Sequence, residues 1–196
     1  MADKHAQVLD QRQQAKVMAM VSQGEHSLRN QTMILLSYKA GLRACEIGGL
    51  RWKDVCNAEG EVREDYLFVP ASITKSKREA SLPMHPHLFV LLTQLRALRP
   101  DDEYVIYQIY KLKGKPRPVA ANAIVMWFSH LYAKCELKGC SSHSGRRTFI
   151  TTLARKANIH DCSIRDVQKL ARHASLATTE RYVALSDNVG RLVSAI

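Results

Sequence analysis

The chain has 196 residues, enough for one domain with a real core or two very small ones. Its 29 lysines and arginines outweigh 18 acidic residues, and the resulting formal charge of +11 is the electrostatic footprint of a polyanion binder. No apolar run approaches the roughly 20 residues needed to span a bilayer, and the polar start MADKHAQVLDQRQQ lacks a signal-peptide apolar region, so a cytoplasmic protein with no membrane partner is expected.

Residues 11–23 read as a helix closed by Gly24, and residues 27–40 as a second, N-capped by Ser27 and stopped by Gly41. Met33, Leu35 and Leu36 give the second helix an apolar side. In the following GLRACEIGGLRWKDV, Arg43 opens a short helix whose Ile47 and Leu50 point inward, which leaves the arginine to face a cleft. Glu46, three positions on, shares that face and is placed to orient the guanidinium by a charge-assisted hydrogen bond.

From residue 66 to residue 84 the pattern turns strand-like. YLFVP, ASIT and EASLPM are β-prone runs around the polar turn KSKR, so a small antiparallel sheet with a tight basic hairpin is expected. His85 and His87 flank Pro86 at the entry to a helix running through Leu98. After Pro100 come a short strand and a basic loop carrying Lys111, Lys113, Lys115 and Arg117, with Tyr107 and Tyr110 as core and loop anchors. Residues 120–135 form a helix with Ile124, Trp127, Phe128 and Leu131 on one face.

The densest chemistry lies between residues 143 and 182. His143 and Arg146, in HSGR, are three positions apart and share one face of a helical turn. A helix to about Ala157, a polar turn NIHDCS and a helix SIRDVQKLAR lead to RHASLATTERY, where Tyr182 follows His173 by nine residues. The five cysteines, an odd and scattered set, suit reduced thiols. The C-x4-C-x2-H spacing of Cys135, Cys140 and His143 matches no common zinc pattern, so no metal is expected.

An arginine in GLRACEI, then HxxR, then a histidine with TTxxY behind it, in that order, resembles the tyrosine recombinase or phage integrase family over nearly the whole chain. The resemblance implies an α+β fold, a mainly helical catalytic domain with a small antiparallel β-sheet on one side. It implies a site-specific DNA recombinase that cleaves and rejoins DNA through a 3′-phosphotyrosyl intermediate, with no metal and no cofactor. A type IB topoisomerase and a non-catalytic DNA-binding regulator on the same scaffold are the alternatives. Carried onto this sequence, the family's catalytic set is Arg43, Lys75, His143, Arg146, His173 and Tyr182, supported by Glu46. Lys75 is the better match to the family's hairpin lysine, counted back from Leu82-Pro83, and Lys77 is the runner-up.

These residue types suit the reaction. A pentavalent phosphate gains negative charge, which two guanidiniums from Arg43 and Arg146 stabilise through paired hydrogen bonds to the non-bridging oxygens. A phenol with pKa near 10 is only about one part in a thousand phenolate at pH 7, so activation is worth about 4 kcal/mol. His143 is the candidate proton acceptor. Lys75 would protonate the leaving 5′-oxygen, and His173 would hydrogen-bond a phosphate oxygen. DNA contacts are expected from Lys77, Arg78, Lys111, Lys113, Lys115, Arg117, Arg147 and Arg172.

Gly145 and Arg147 stand where the family often has leucine and histidine, and Arg172 where a glycine usually precedes the histidine. The chain is expected to be a single catalytic domain over residues 1–196, with residues 1–10 an extension and the family's usual N-terminal core-binding domain absent. Residues 187–196 form an expected tail helix, with Val189, Leu192, Val193 and Ile196 as an apolar stripe. Such a stripe needs a partner, and the expected one is a neighbouring protomer in a homo-tetramer on paired sites of double-stranded DNA. Association with the nucleoid is expected.

Overall fold

A computed structural model describes residues 6–109 and 117–183. It falls into two compact units, residues 1–149 and residues 150–196. The architecture is mainly helical with one small antiparallel sheet.

The first unit is assembled around helix α2 (Ser27–Tyr38), in which every residue from Thr32 to Tyr38 is buried. A helix buried on all sides is central rather than amphipathic, so the expected single apolar side is corrected to burial all round. The buried Thr32 hydroxyl donates within the helix, to the Leu28 carbonyl at 2.8 Å. Helix α1 (Gln11–Val21) packs on α2 through Val17 and Val21, and opens on a capping box between Asp10 and Gln13. The N-cap of α2 is His26, without a side-chain bond, and Ser27 is already the first helical residue. This corrects the expected Ser27 cap.

Helices α3 (Ala44–Gly49) and α4 (Trp52–Val55) follow, with Ile47, Leu50, Trp52 and Val55 in the core. Strands β1 (Tyr66–Val69) and β2 (Ala80–Pro83) pair antiparallel in the register Tyr66↔Pro83 to Val69↔Ala80, with Leu67, Val69 and Leu82 inward. Between them ASIT does not extend. Ala71–Ile73 form a single 3-10 turn, so the connection is a longer loop over residues 70–79 rather than a tight hairpin. Helix α5 (Pro86–Leu98) lays Leu88, Leu92 and Leu95 against α2. Its entry is the expected one, with Pro86 in the first turn and the His85 imidazole accepting the His87 N–H at 3.2 Å. The expected strand after Pro100 is reduced to an isolated bridge between Tyr104 and Arg51.

Helix α6 (Ala121–Lys134) packs on α3. Ile124, Phe128, Leu131 and Tyr132 are buried, while the expected Trp127 is only half-buried. Helix α7 (Ser144–Lys156) begins in this unit.

In the second unit, a 3-10 turn over Ala157–His160 leads to α8 (Ile164–Ala171), capped by a Ser163–Asp166 box, and α9 (Leu176–Glu180), which packs on α8. No helix among the described residues is long and apolar enough to cross a membrane. Lys111, Lys113, Lys115, Tyr110 and the segment from Asp187 onward lie outside the described residues.

Candidate active site

In the first unit, one corner of the chain carries two arginines. Gly41 takes φ +61°, a left-handed conformation that lets the chain leave α2 and turn into α3. Leu42 is buried behind it, and Arg43 occupies the N-cap of α3. Glu46 is fully buried and binds Arg43 at both ends: one carboxylate oxygen accepts the Arg43 backbone N–H at 2.8 Å, the other the guanidinium at 3.0 Å. The backbone bond satisfies a helix-start donor and the side-chain bond fixes the fork. Glu46 is therefore placed as the sequence suggested, behind the arginine rather than on an open surface.

Arg146, in the first turn of α7, is 6% exposed and donates to the Gly41 carbonyl. One glycine thus shapes the path to Arg43 and supplies an acceptor for Arg146. Two close approaches hold α7 there. The Phe149 ring lies where a Cβ on Gly41 would stand, and a Cβ on Gly145 would run into the Ser37 hydroxyl and the Tyr38 ring. Glycine at 145, a departure from the family's usual residue, is what lets α7 approach α2 this closely. The segment before α1 adds a further tie, since the Leu9 N–H donates to the Thr148 hydroxyl at 2.9 Å.

His143 immediately precedes α7 and is exposed, with its Nδ1 3.4 Å from the Ser142 hydroxyl. Lys75 and Lys77 are exposed on the loop between the strands. Arg43, Lys75, Lys77, His143 and Arg146 all line one open cavity of about 430 Å³. The family resemblance ranks Lys75 above Lys77, and both line this space. Among the described residues the lining contains no carboxylate, so its character is that of an anion site. Sequence reasoning did not single out Cys45, Ser72, Thr74 or Ser142, which also line it. Cys45 and Ser142 adjoin the arginine and histidine boxes, whereas Ser72 and Thr74 arrive through the unforeseen 3-10 turn.

The second unit brings His173 and Tyr182 together. Arg172 ends α8 at φ +55°, where glycine is the natural occupant, and this turns the chain so that the His173 N–H reaches the Gln168 carbonyl at 3.1 Å. The buried Thr179 organises both residues. Its hydroxyl meets His173 Nδ1 at 3.0 Å, and its carbonyl accepts the Tyr182 N–H at 2.9 Å. The His173 and Tyr182 rings lie 5.7 Å apart, tilted by 30°. Thr179 was legible only as part of the TTxxY pattern.

Other tyrosines have different duties. The Tyr38 and Tyr132 hydroxyls pair at 3.1 Å in the core, and burial pushes both phenols well above their ordinary range. Tyr107 anchors a loop: its carbonyl accepts Arg29 at 2.8 Å, and the guanidiniums of Arg99 and Arg29 lie 4.5 and 5.6 Å from its ring centre. Of the remaining expected DNA-contacting residues, Arg78 and Arg117 are exposed, while Arg147 and Arg172 are half-buried.

The model of the phage integrase family matches residues 7–188. Among similar proteins, the tyrosine recombinase XerC of Proteus mirabilis is 30% identical over 167 residues, covering 81% of this chain and 48% of that protein. A tyrosine recombinase of Thermosipho africanus is 24% identical over 164 residues, covering 83% of this chain and 52% of that protein. The chain therefore spans about half the length of the curated relatives it matches. Among solved structures, the XerH site-specific recombinase bound to its difH substrate in a pre-cleavage complex superposes with a TM-score of 0.73 at 16% identity, over 100% of this chain and 56% of that one. The XerA recombinase gives 0.69 at 21% identity, over 100% and 65%. At such identities the likeness speaks for the fold.

Proposed function

This chain belongs to the phage integrase family, and on that premise we propose that it is the catalytic domain of a site-specific DNA recombinase that works through a covalent 3′-phosphotyrosyl intermediate. The observation that carries this reading is the carboxylate-free cavity in which Arg43, Arg146, His143 and two lysines converge. Four positive charges, two of them on guanidiniums held by Glu46 and the Gly41 carbonyl, suit a group whose charge grows as it reacts.

In this reading Arg43 and Arg146 bind the non-bridging oxygens of the scissile phosphate, with Glu46 holding Arg43 in register. Tyr182 attacks phosphorus and its phenolic proton passes to His143. The bond from phosphorus to the 5′-oxygen breaks, and Lys75 delivers a proton to that oxygen, with Lys77 as the other candidate. His173 donates to a phosphate oxygen and is oriented by Thr179. The phosphotyrosyl link stores the bond energy, so attack by a second 5′-hydroxyl reverses the step without a nucleotide triphosphate or a metal.

Residues 1–196 act as one catalytic domain on duplex DNA in the nucleoid. Lys77, Arg78, Lys111, Lys113, Lys115, Arg117, Arg147 and Arg172 contribute phosphate contacts, which makes binding fall steeply with salt. The segment from Asp187 docks on a neighbouring protomer of a tetramer on paired sites. Deleting it should abolish paired-site complexes while leaving single-site binding nearly intact.

The decisive experiment incubates the protein in EDTA with a pool of nicked duplexes of randomised sequence and resolves the products on a denaturing gel. A protein–DNA adduct is expected, and sequencing its DNA identifies the site. No adduct from the wild type, or an adduct from Tyr182→Phe, overturns the reading. Relaxation of one-site plasmids without recombinants from two-site plasmids would point to a topoisomerase. Undiminished binding by variants at Arg43, Arg146 and Tyr182, with no adduct from any form, would point to a regulator.

A further inference from the structure

A lysine ammonium sits at the end of a flexible four-carbon stem, so the fold can place it only through the backbone from which it springs. On the lysine loop that backbone is tied by one side chain. Thr74 is 4% exposed, although every residue from 75 to 79 is exposed. Its hydroxyl accepts the Arg78 N–H at 3.2 Å and lies 3.0 Å from the Arg78 carbonyl and 3.1 Å from the Ala71 carbonyl. With a single proton the hydroxyl donates to one of these carbonyls at a time, so each bond has a standing substitute. The Thr74 carbonyl also accepts the Lys77 N–H at 3.3 Å.

The chain therefore leaves Thr74, carries Lys75 and Lys77 outward, and returns to the same threonine at Arg78. Lys77 takes φ +54°, a conformation that a lysine adopts only when its surroundings hold it. One residue earlier, Ile73 rests on α3 where Gly49 has no side chain, and a Cβ there would come 2.8 Å from Ile73 Cγ2. A continuous packed path thus runs from Arg43, at the start of α3, through Gly49, Ile73 and Thr74 to both lysines.

We propose that Thr74 is a positioning residue for the lysine that protonates the leaving 5′-oxygen. It acts through the backbone of residues 75–78, its hydroxyl being engaged by the Arg78 and Ala71 backbone groups rather than by the phosphate. This rests on the lysine role given above. Thr74→Val keeps the shape and removes the hydroxyl, whereas Thr74→Ser keeps the hydroxyl.

The test measures single-turnover cleavage of the nicked duplex recovered by covalent capture, made once with an ordinary scissile phosphate and once with a 5′-bridging phosphorothiolate, whose sulfur leaves without a proton. Thr74→Val is expected to slow cleavage about 10- to 100-fold on the phosphate but less than about threefold on the phosphorothiolate, as befits loss of part of a general-acid contribution. Thr74→Ser should stay within about threefold of the wild type on both, and Thr74→Val should add nothing further in a Lys75→Ala or Lys77→Ala background, whichever lysine is the acid. Both substrates are cut by one preparation, so any loss of folded protein cancels in the ratio of the two rates. Equal slowing of Thr74→Val on both substrates, or no slowing on the phosphate, overturns the proposal while Lys75→Ala or Lys77→Ala still shows the contrast. If both lysine variants lack the contrast, the general-acid lysine itself falls, and the role of Thr74 falls with it.

Discussion

Replacing Gly41 by alanine tests the corner from which both arginines are organised. Two costs are visible. An L-residue held at φ +61° sacrifices about 1–2 kcal/mol relative to its preferred conformations. The new Cβ would also stand 2.5 Å from Phe149 Cδ1 and 2.9 Å from Cε1, and displacing a packed ring costs about 1–3 kcal/mol. Alanine returns roughly 0.4–1 kcal/mol by restricting the unfolded chain. The net loss is thus about 2–4 kcal/mol, which for a chain of this size lowers the Tm by roughly 4–16 °C. Thermal and urea unfolding followed by circular dichroism measure it. Phe149→Leu in the Gly41→Ala background should recover the steric share and leave the backbone share untouched. Adduct formation should fall as well, because the carbonyl that receives Arg146 moves with the corner. A Gly41→Ala protein within about 0.5 kcal/mol of the wild type, or a double variant with no recovery, refutes the reasoning.

Two further outcomes follow from the same geometry. Glu46→Ala removes a charge-assisted bond and a helix-start bond; with the Arg43 side chain 27% exposed and partly screened, the expected loss is about 2 kcal/mol in stability. Adduct formation should slow by about tenfold or more, and unchanged stability and rate in that variant would remove Glu46 from the site. The imidazole of His85 is held below its ordinary pKa first by burial, then by Lys39 and His87, and its unprotonated Nδ1 caps α5. The unfolded chain therefore binds this proton more readily than the folded one. The cap's contribution is complete above the ordinary histidine value of about 6.5 and is lost as pH falls below it. Urea midpoints at pH 7.5 and 5.5 should diverge more for the wild type than for His85→Asn, and equal divergence would exclude the cap.

Much of the candidate site was legible because its residues sit in short local patterns. Arg43 with Glu46, and His143 with Arg146, are three apart, a spacing that already means one helical face. What escaped depended on distant chain or on hydroxyl chemistry. ASIT reads as a strand by composition, but the Thr74 hydroxyl bonds local backbone groups and so competes with a sheet ladder. Ser72 and Thr74 reach the cavity only because that turn forms and rests on α3. The choice between Lys75 and Lys77 stays beyond spacing, since both line the same space. The all-round burial of α2 was hidden by Thr32 and Ser37, polar residues that a periodicity count assigns to solvent. Arg172 was legible as a departure from pattern, and its left-handed backbone gives the physical reason that glycine is usual there.

The contact of Gly145 with Ser37 and Tyr38 has a consequence for inheritance. A methyl group at 145 has no room unless volume is surrendered on α2, and a bulkier residue at 37 has no room while α7 stays where Arg146 needs it. Neither position can drift alone. Among descendants of this chain, residues 37, 38 and 145 should change together or not at all, so that a substitution on a buried helix is answered by one more than 100 residues away in sequence, beside Arg146.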